Sequence, residues 1–331
     1  MKAMILRHTG SAESHPLESA ELPDAVAGSG HVVISVEACG VCRTDLHIVE
    51  GEVQAALPMV PGHQAVGRVI ALGEGVTGCH TGDLVGVGWL ASTCGSCAFC
   101  STGRENLCAD ATFTCRDVNG GYAQLVSADA RYVFPIPAGL SARDAAPLLC
   151  AAIIGYRSLR LSEIKPGGRL GLTGFGASAH LASQIARHWS CDVYAFTREE
   201  HHRRLALELG AVWAGEATDD PGVALDGAVI FAPSGDLVPQ ALSRIGRGGT
   251  LAINAIHMSR IPWFSYDLIY HERTVRSVEN FTHRDAVEFL ALAAEIPIRA
   301  DVEEFALAEA NEVLLRVKRG AVHGAAVLTV P

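Results

Sequence analysis

Arg169-Leu170-Gly171-Leu172-Thr173-Gly174-Phe175-Gly176-Ala177-Ser178-Ala179 decides how this 331-residue chain folds. A short strand-like run ends in G-x-G-x-x-A and passes into a helical pattern, Ser178 to Trp189. Each small residue has a physical task. Gly174 permits a tight turn, Gly176 lets backbone approach a pyrophosphate, and Ala179 lets the helix lie close to the strand. A glycine triplet alone arises often by chance, so its surroundings carry the reading. Asp192 to Phe196 reads as strand and Glu199 to Leu209 as helix ending at Gly210. Gly227 to Ala232 and Thr250 to Ile256 read as strands with the helix Leu237 to Ile245 between them, and Val275 to Val278 as a last strand. Such alternation predicts a parallel sheet with helices on both faces, a doubly wound Rossmann domain over residues 151–280.

Outward from this stretch the pattern changes. Up to about Pro147 the chain is β-rich, with strand patterns at His31 to Glu37, Gln64 to Leu72, Asp83 to Gly88, Tyr122 to Val126 and Tyr132 to Ile136. Short strands punctuated by Gly and Pro predict a partly open barrel. Ala145 to Leu161 has helical spacing and ends near the breaker Lys165-Pro166-Gly167-Gly168. The tail, Arg284 to Pro331, carries two helical patterns and a closing strand at Ala325 to Val330, and we expect it to pack back on the first domain. The domains are therefore residues 1–150 with 281–331, and 151–280.

Composition narrows the partners. The net charge is −10 and no long Lys/Arg run occurs, which argues against nucleic acid or an anionic membrane. The first ten residues lack a secretory pattern, and the most apolar helix-like run, Ala145 to Ile154, is too short to span a bilayer. A cytoplasmic protein is expected. Without a secretory signal, grouped cysteines read as metal ligands or catalytic thiols rather than disulfides.

Of the ten cysteines, Cys94, Cys97, Cys100 and Cys108 are spaced C-x2-C-x2-C-x7-C. Four thiolates at loop spacing satisfy a tetrahedral zinc with no open position, so this lobe, about residues 90–110, is read as structural. The alternatives are an iron–sulfur cluster, which shares the thiolate count, and free thiols. Cys39, Cys79, Cys115 and Cys191 are read as buried free thiols.

A second constellation is dispersed. Ala38-Cys39-Gly40-Val41-Cys42-Arg43-Thr44-Asp45-Leu46-His47 crowds thiols, a hydroxyl, a carboxylate and an imidazole into one stretch. Pro61-Gly62-His63-Gln64 and Leu148-Leu149-Cys150 supply a further imidazole and thiol. Two thiols and one imidazole leave a tetrahedral position open, the mark of a catalytic zinc. Cys39 rivals Cys42 as the first ligand. Asp45 can accept the second N–H of His63 and fix its tautomer. Thr44 can hydrogen-bond a substrate oxygen, and His47 can pass its proton towards solvent. Arg43 suits a cofactor pyrophosphate.

Cofactor choice is read after Val193 to Phe196. An acidic residue there would bind the ribose 2′-hydroxyl, but the strand ends in Thr197-Arg198, with Arg203 and Arg204 nearby. Arg198 can bind a 2′-phosphate, so NADP(H) is favoured over NAD(H), with Glu199 and Glu200 the groups that would reverse the choice.

Together these motifs resemble the zinc-dependent alcohol dehydrogenases of the medium-chain dehydrogenase/reductase family. The resemblance runs through Gly40 to His47, Pro61-Gly62-His63, Gly82-Asp83-Leu84-Val85-Gly86, the four-cysteine loop, Gly120-Gly121-Tyr122-Ala123 and the glycine motif. It implies a GroES-like catalytic domain beside the Rossmann domain, the active site in the cleft between them, and two zinc ions per chain. It selects Cys42 over Cys39, with His63 and Cys150, matches Thr44 and His47 to a proton relay, and Asp45 to the carboxylate behind the histidine ligand. Two departures stand out: Gln64 where the family usually has Glu, and Ala325 where many members carry a phosphate-binding Arg. Trp89 resembles the pocket wall of members that take small primary alcohols, while Val49 and Val53 replace aromatics and leave room. The resemblance implies small alcohol and aldehyde substrates and a homodimer or homotetramer. A secondary-alcohol or polyol dehydrogenase and a non-catalytic zinc- and nucleotide-binding relative are the alternatives.

Overall fold

Two hydrophobic periods organise the chain: a period near two before residue 150, and strands alternating with 3.6-period helices after it. In the computed structural model, which describes residues 1–331, the chain divides into two compact units. The first holds Met1–Cys150, Asn280–Glu295 and Ala300–Pro331; the second holds Ala151–Glu279 and Ile296–Arg299.

The first unit begins with β1 (Lys2–Leu6), β2 (Leu17–Glu21), β3 (His31–Val41), α1 (Arg43–Val49), β4 (Ala65–Leu72) and β5 (Leu84–Val87). It continues through β6 (Leu90–Ser92), β7 (Thr112–Phe113), β8 (Leu125–Asp129), β9 (Val133–Pro135) and α2 (Ala142–Ala145). The second unit contains α3 (Ala151–Leu161), β10 (Arg169–Thr173), α4 (Ala177–His188), β11 (Asp192–Phe196), α5 (Glu200–Glu208) and β12 (Trp213–Gly215). It ends with β13 (Leu225–Ile230), α6 (Leu237–Arg244), β14 (Ile245–Ile253) and β15 (Thr274–Ser277). The chain then returns to the first unit as α7 (His283–Glu295), β16 (Val302–Ala306), α8 (Ala310–Arg319) and β17 (Ala325–Thr329).

The large sheet of the first unit runs β16-β17-β3-β4-β5-β9, with β8 also on β3. The tail is stitched in by β17, antiparallel to β3, with Leu328 opposite Cys39 and Ala326 opposite Val41. Val32, Ile34, Val36, Val69, Val85, Tyr122 and Leu328 share one buried core. Each buried aliphatic side chain of this kind contributes about 1.5–3 kcal/mol. The strand expected at Tyr122 begins later, at Leu125. Tyr122 is held by two other segments, giving its N–H to the Pro61 carbonyl at 2.9 Å and receiving the Met4 N–H at 2.8 Å.

The helical stretch expected from Ala145 to Leu161 is broken. α2 passes into a 3-10 turn at Ala146–Leu149 containing Pro147, and α3 starts only at Ala151. Proline lacks the N–H that an α ladder needs, so the ladder is interrupted. Cys150, expected inside a helix, sits at the break with φ −127° and ψ −71°.

In the second unit the sheet order is β12-β11-β10-β13-β14-β15, all parallel. Counted from β10 this is the 3-2-1-4-5-6 order of a doubly wound dinucleotide-binding sheet, whose order reverses between β10 and β13. No helix of the chain is long and apolar enough to cross a membrane.

Candidate active site and metal centres

Local chemistry explains why α1 starts at Cys42. That residue is the N-cap, extended at φ −118° and ψ 160°. Asp45, in the first turn, accepts the Cys42 N–H on Oδ2 at 2.8 Å, as an acidic residue at this position does in a capping box. The other oxygen faces a different segment. His63 Nδ1 donates to Asp45 Oδ1 at 2.9 Å, and the Gly62 N–H approaches the same oxygen at 3.3 Å. One fully buried carboxylate thus starts the helix bearing Cys42, Thr44 and His47, and also orients His63.

The loop before His63 is clamped by the segment at Gly120. Gly120 N–H donates to Val60 O at 2.7 Å and Gly121 N–H to Gly62 O at 2.7 Å. Gly62 sits at φ +97°, and a Cβ there would lie 2.3 Å from the Tyr122 ring. Only glycine fits, which accounts for the Pro-Gly-His sequence.

The break at Cys150 delivers the third group. Cys42 Sγ and Cys150 Sγ are 3.9 Å apart, and with His63 their ligand atoms all lie within 4.8 Å of one another. A tetrahedral zinc with bonds of about 2.3 Å to sulfur has sulfur–sulfur edges of about 3.8 Å, so the thiol pair fits zinc. His63 Nδ1 is engaged by Asp45, which leaves Nε2 for a metal. His63 is buried while both thiols are half-buried, so the set is accessible from the thiol side.

The charge of this set is shared. The hydrogen bond from Cys150 holds the Cys42 thiol well below its ordinary range, and the same bond pushes Cys150 well above. Burial opposes a charged His63, but the Asp45 carboxylate outweighs it and raises His63 well above the usual imidazole range.

Around the set, Thr44 Oγ1 is 3.7 Å from Cys42 Sγ. His47 Nδ1 is hydrogen-bonded to Glu52 Oε2, a partner that sequence reasoning missed. Only an acidic residue five positions after His47 signalled it. Trp89 lies edge-on to His63, with ring centroids 5.2 Å apart and planes at 80°, and stacks on Phe113 at 5.3 Å. Val53 is half-buried and offers surface. Val49 is 0% exposed and packs inside the core. Cys39 lies outside the three-ligand group, its Sγ directed to the Gly40 carbonyl at 3.7 Å, and burial pushes its thiol up. Cys115 is a buried free thiol, as read from sequence, and its Sγ lies close to Asp45 and His63.

The four-cysteine loop converges independently. Cys94 and Cys108 Sγ are 3.5 Å apart, Cys97 and Cys100 3.5 Å, and Cys94 and Cys100 3.9 Å, again the edges of a zinc–thiolate tetrahedron. Backbone N–H groups of Ser96 and Cys97 lower Cys94 to about 6, which suits it to bind metal as thiolate.

In the second unit, Gly174 turns at φ +83° at the end of β10, and a Cβ on Gly176 would meet nothing within 4 Å. This leaves open space at the start of α4, where a helix N-terminus favours phosphate, while Ala179 is fully buried against the sheet. Thr197 is buried after β11 and Arg198 is exposed. Arg203 donates to the carbonyls of Thr197 and Arg198 at 2.9 and 2.7 Å, so it shapes this loop. Arg43, in the first unit, is exposed and gives one N–H to Val317 O at 3.3 Å.

Comparison with known proteins places this architecture. Residues 28–138 match the alcohol dehydrogenase GroES-like domain. The chain is 42% identical to a probable alcohol dehydrogenase, AdhA, of Mycobacterium tuberculosis, over 100% of this chain and 97% of the relative. It is 36% identical to an alcohol dehydrogenase of Moraxella sp. over 99% of each. A cinnamyl alcohol dehydrogenase of Sorghum bicolor superposes with a TM-score of 0.90 at 28% identity, covering 99% of this chain and 97% of that one. Fold and kinship define an alcohol–aldehyde oxidoreductase. The chain belongs to the zinc-type alcohol dehydrogenases of the medium-chain dehydrogenase/reductase family, which pair a GroES-like domain with a Rossmann-like parallel sheet and use a nicotinamide cofactor.

Proposed function

We propose that this protein is a zinc-dependent, NADP(H)-preferring dehydrogenase that interconverts primary alcohols and aldehydes. The observation that carries the reading is the set of Cys42, His63 and Cys150, two thiols at zinc-like spacing beside an imidazole whose Nδ1 is already committed to Asp45. Zinc held there would act as a Lewis acid on the alcohol or carbonyl oxygen. The nicotinamide cofactor would exchange the hydride with the carbinol carbon.

The rest of the chemistry falls to the chain. Thr44, beside Cys42, would hydrogen-bond the substrate oxygen and relay its proton. His47 would carry that proton towards solvent, with Glu52 holding its Nδ1 proton so that Nε2 can accept. Trp89, edge-on to His63, would narrow the pocket towards flat or linear substrates, with Val53 leaving room on its side. Gly174, Gly176 and Ala179 would seat the pyrophosphate, with Arg43 as a further partner, and Thr197 and Arg198 would receive the ribose phosphate. Cys94, Cys97, Cys100 and Cys108 would hold a second, structural zinc. A cytoplasmic homodimer or homotetramer is the expected setting.

The test is the initial rate of NADPH and NADH oxidation by zinc-loaded protein with short and aryl aldehydes and ketones. NADPH preference with aldehydes is expected. Preference for ketones would move the reading to secondary alcohols, and faster NADH oxidation would assign the ribose to Glu199 or Glu200.

A further inference from the structure

Cys115 occupies a turn just after β7 at φ +62°, in the left-handed region where a side chain is disfavoured and glycine is not. The turn is fixed without help from the thiol. Cys115 N–H donates to Val118 O at 2.7 Å, Thr114 N–H to Trp89 O at 2.8 Å, and Thr114 Oγ1 to Gly88 O at 2.8 Å. Phe113 N–H donates to Asp117 Oδ2 at 2.7 Å. Glycine would satisfy the same backbone bonds free of strain, so the strain points to the side chain.

What cysteine adds is a fully buried Sγ, 3.5 Å from Asp45 Oδ1 and 3.7 Å from His63 Nδ1. The His63 Nδ1 proton is already directed at Asp45 Oδ1, so the thiol proton has that same carboxylate oxygen as its acceptor. We propose that Cys115 is a positioning residue: its S–H is a further donor to Asp45 and helps hold the carboxylate in the orientation that fixes the His63 ring for zinc. The inference rests on the zinc reading of Cys42, His63 and Cys150. A separate cation held by Asp45, His63 and Cys115 is disfavoured, because all three are sealed in the core and His63 Nδ1 is spent on Asp45. Partners behind a metal-binding histidine set metal affinity by about 10–100-fold.

The experiment follows zinc release from the full-length protein to a chromogenic chelator, with Cys42→Ala identifying the phase that belongs to the three-ligand set. Cys115→Ala, which keeps the Cβ and removes the donor, should weaken zinc in that phase about tenfold. It should leave release from the four-cysteine lobe unchanged, which also reports that the chain is folded. Cys115→Ser, which keeps a donor, should restore affinity to within about threefold. An unchanged phase in Cys115→Ala, or a serine variant as weak as the alanine one, overturns the proposal. A third zinc that disappears in both variants overturns it in favour of a ligand role. If the wild-type chain has no Cys42-dependent phase, the zinc reading itself falls and takes the inference with it; an intact phase unmoved by Cys115→Ala sinks the inference alone.

Discussion

The four-cysteine lobe and the three-ligand set share a donor chemistry and differ in how they are built. The lobe draws its thiols from one loop, Cys94 to Cys108, and leaves Cys94 exposed. The second set gathers Cys42, His63 and Cys150 from three distant segments and keeps the imidazole buried. In the lobe, short spacing does the work of folding, so metal and structure are interdependent. In the second set a hydrogen-bond partner from the protein stands behind the ligand: Asp45 ties His63 to the start of α1. A closed site stabilises, whereas a prearranged site with a free position can do chemistry.

That contrast can be broken experimentally, most strongly at the ligands. Cys42→Ala should lower turnover by about a thousandfold or more, since Lewis-acid assistance is lost. If both sets hold zinc as proposed, zinc content should fall by one ion per chain; retained turnover would erase the distinction between the two centres. Asp45→Asn should weaken zinc at the three-ligand set by about 10–100-fold, read by chelator competition, with the lobe unaffected. Trp89→Ala should raise kcat/KM for ketones relative to aldehydes by about tenfold, as expected from clearing a large ring from a pocket wall. Cys97→Ser should change turnover least, within about twofold, while lowering the melting midpoint by roughly 5 °C as the lobe loses its metal. A large loss of turnover in that variant would show that the lobe supports the reacting site directly.

The two regions also differ in how far they could be read in advance. C-x2-C-x2-C-x7-C is nearly a complete description of the lobe, because local spacing fixes local geometry. The glycine motif and the strand–helix alternation carried the second unit for the same reason: β10, β11 and α4 fall where their periodicity put them, within a residue. The dispersed set was legible only through its donor types and a family resemblance that chose Cys42 over Cys39, since nothing in the spacing of Cys42, His63 and Cys150 brings them together. What stayed hidden depended on tertiary packing. Helical spacing across Ala145 to Leu161 concealed the Pro147 break that positions Cys150. Val49 lies on the buried face of α1, which the substitution of valine for an aromatic could not reveal. Cys115 and Glu52 carry no motif, and their partners are known only once the loops have closed.

The stack of Arg116, Phe113 and Trp89 has an optical consequence. The Arg116 guanidinium lies 4.2 Å from the Phe113 ring centroid, Phe113 stacks on Trp89, and Trp89 meets the edge of His63. A metal bound at His63 changes the electrostatic surroundings of the indole that meets its edge. Of the four tryptophans, Trp89 is the one that meets the edge of His63. The emission that differs between the wild-type chain and Trp89→Phe should therefore change as zinc enters. On the zinc reading proposed above, Trp89 would serve as a built-in fluorescent gauge of whether the three-ligand set is loaded.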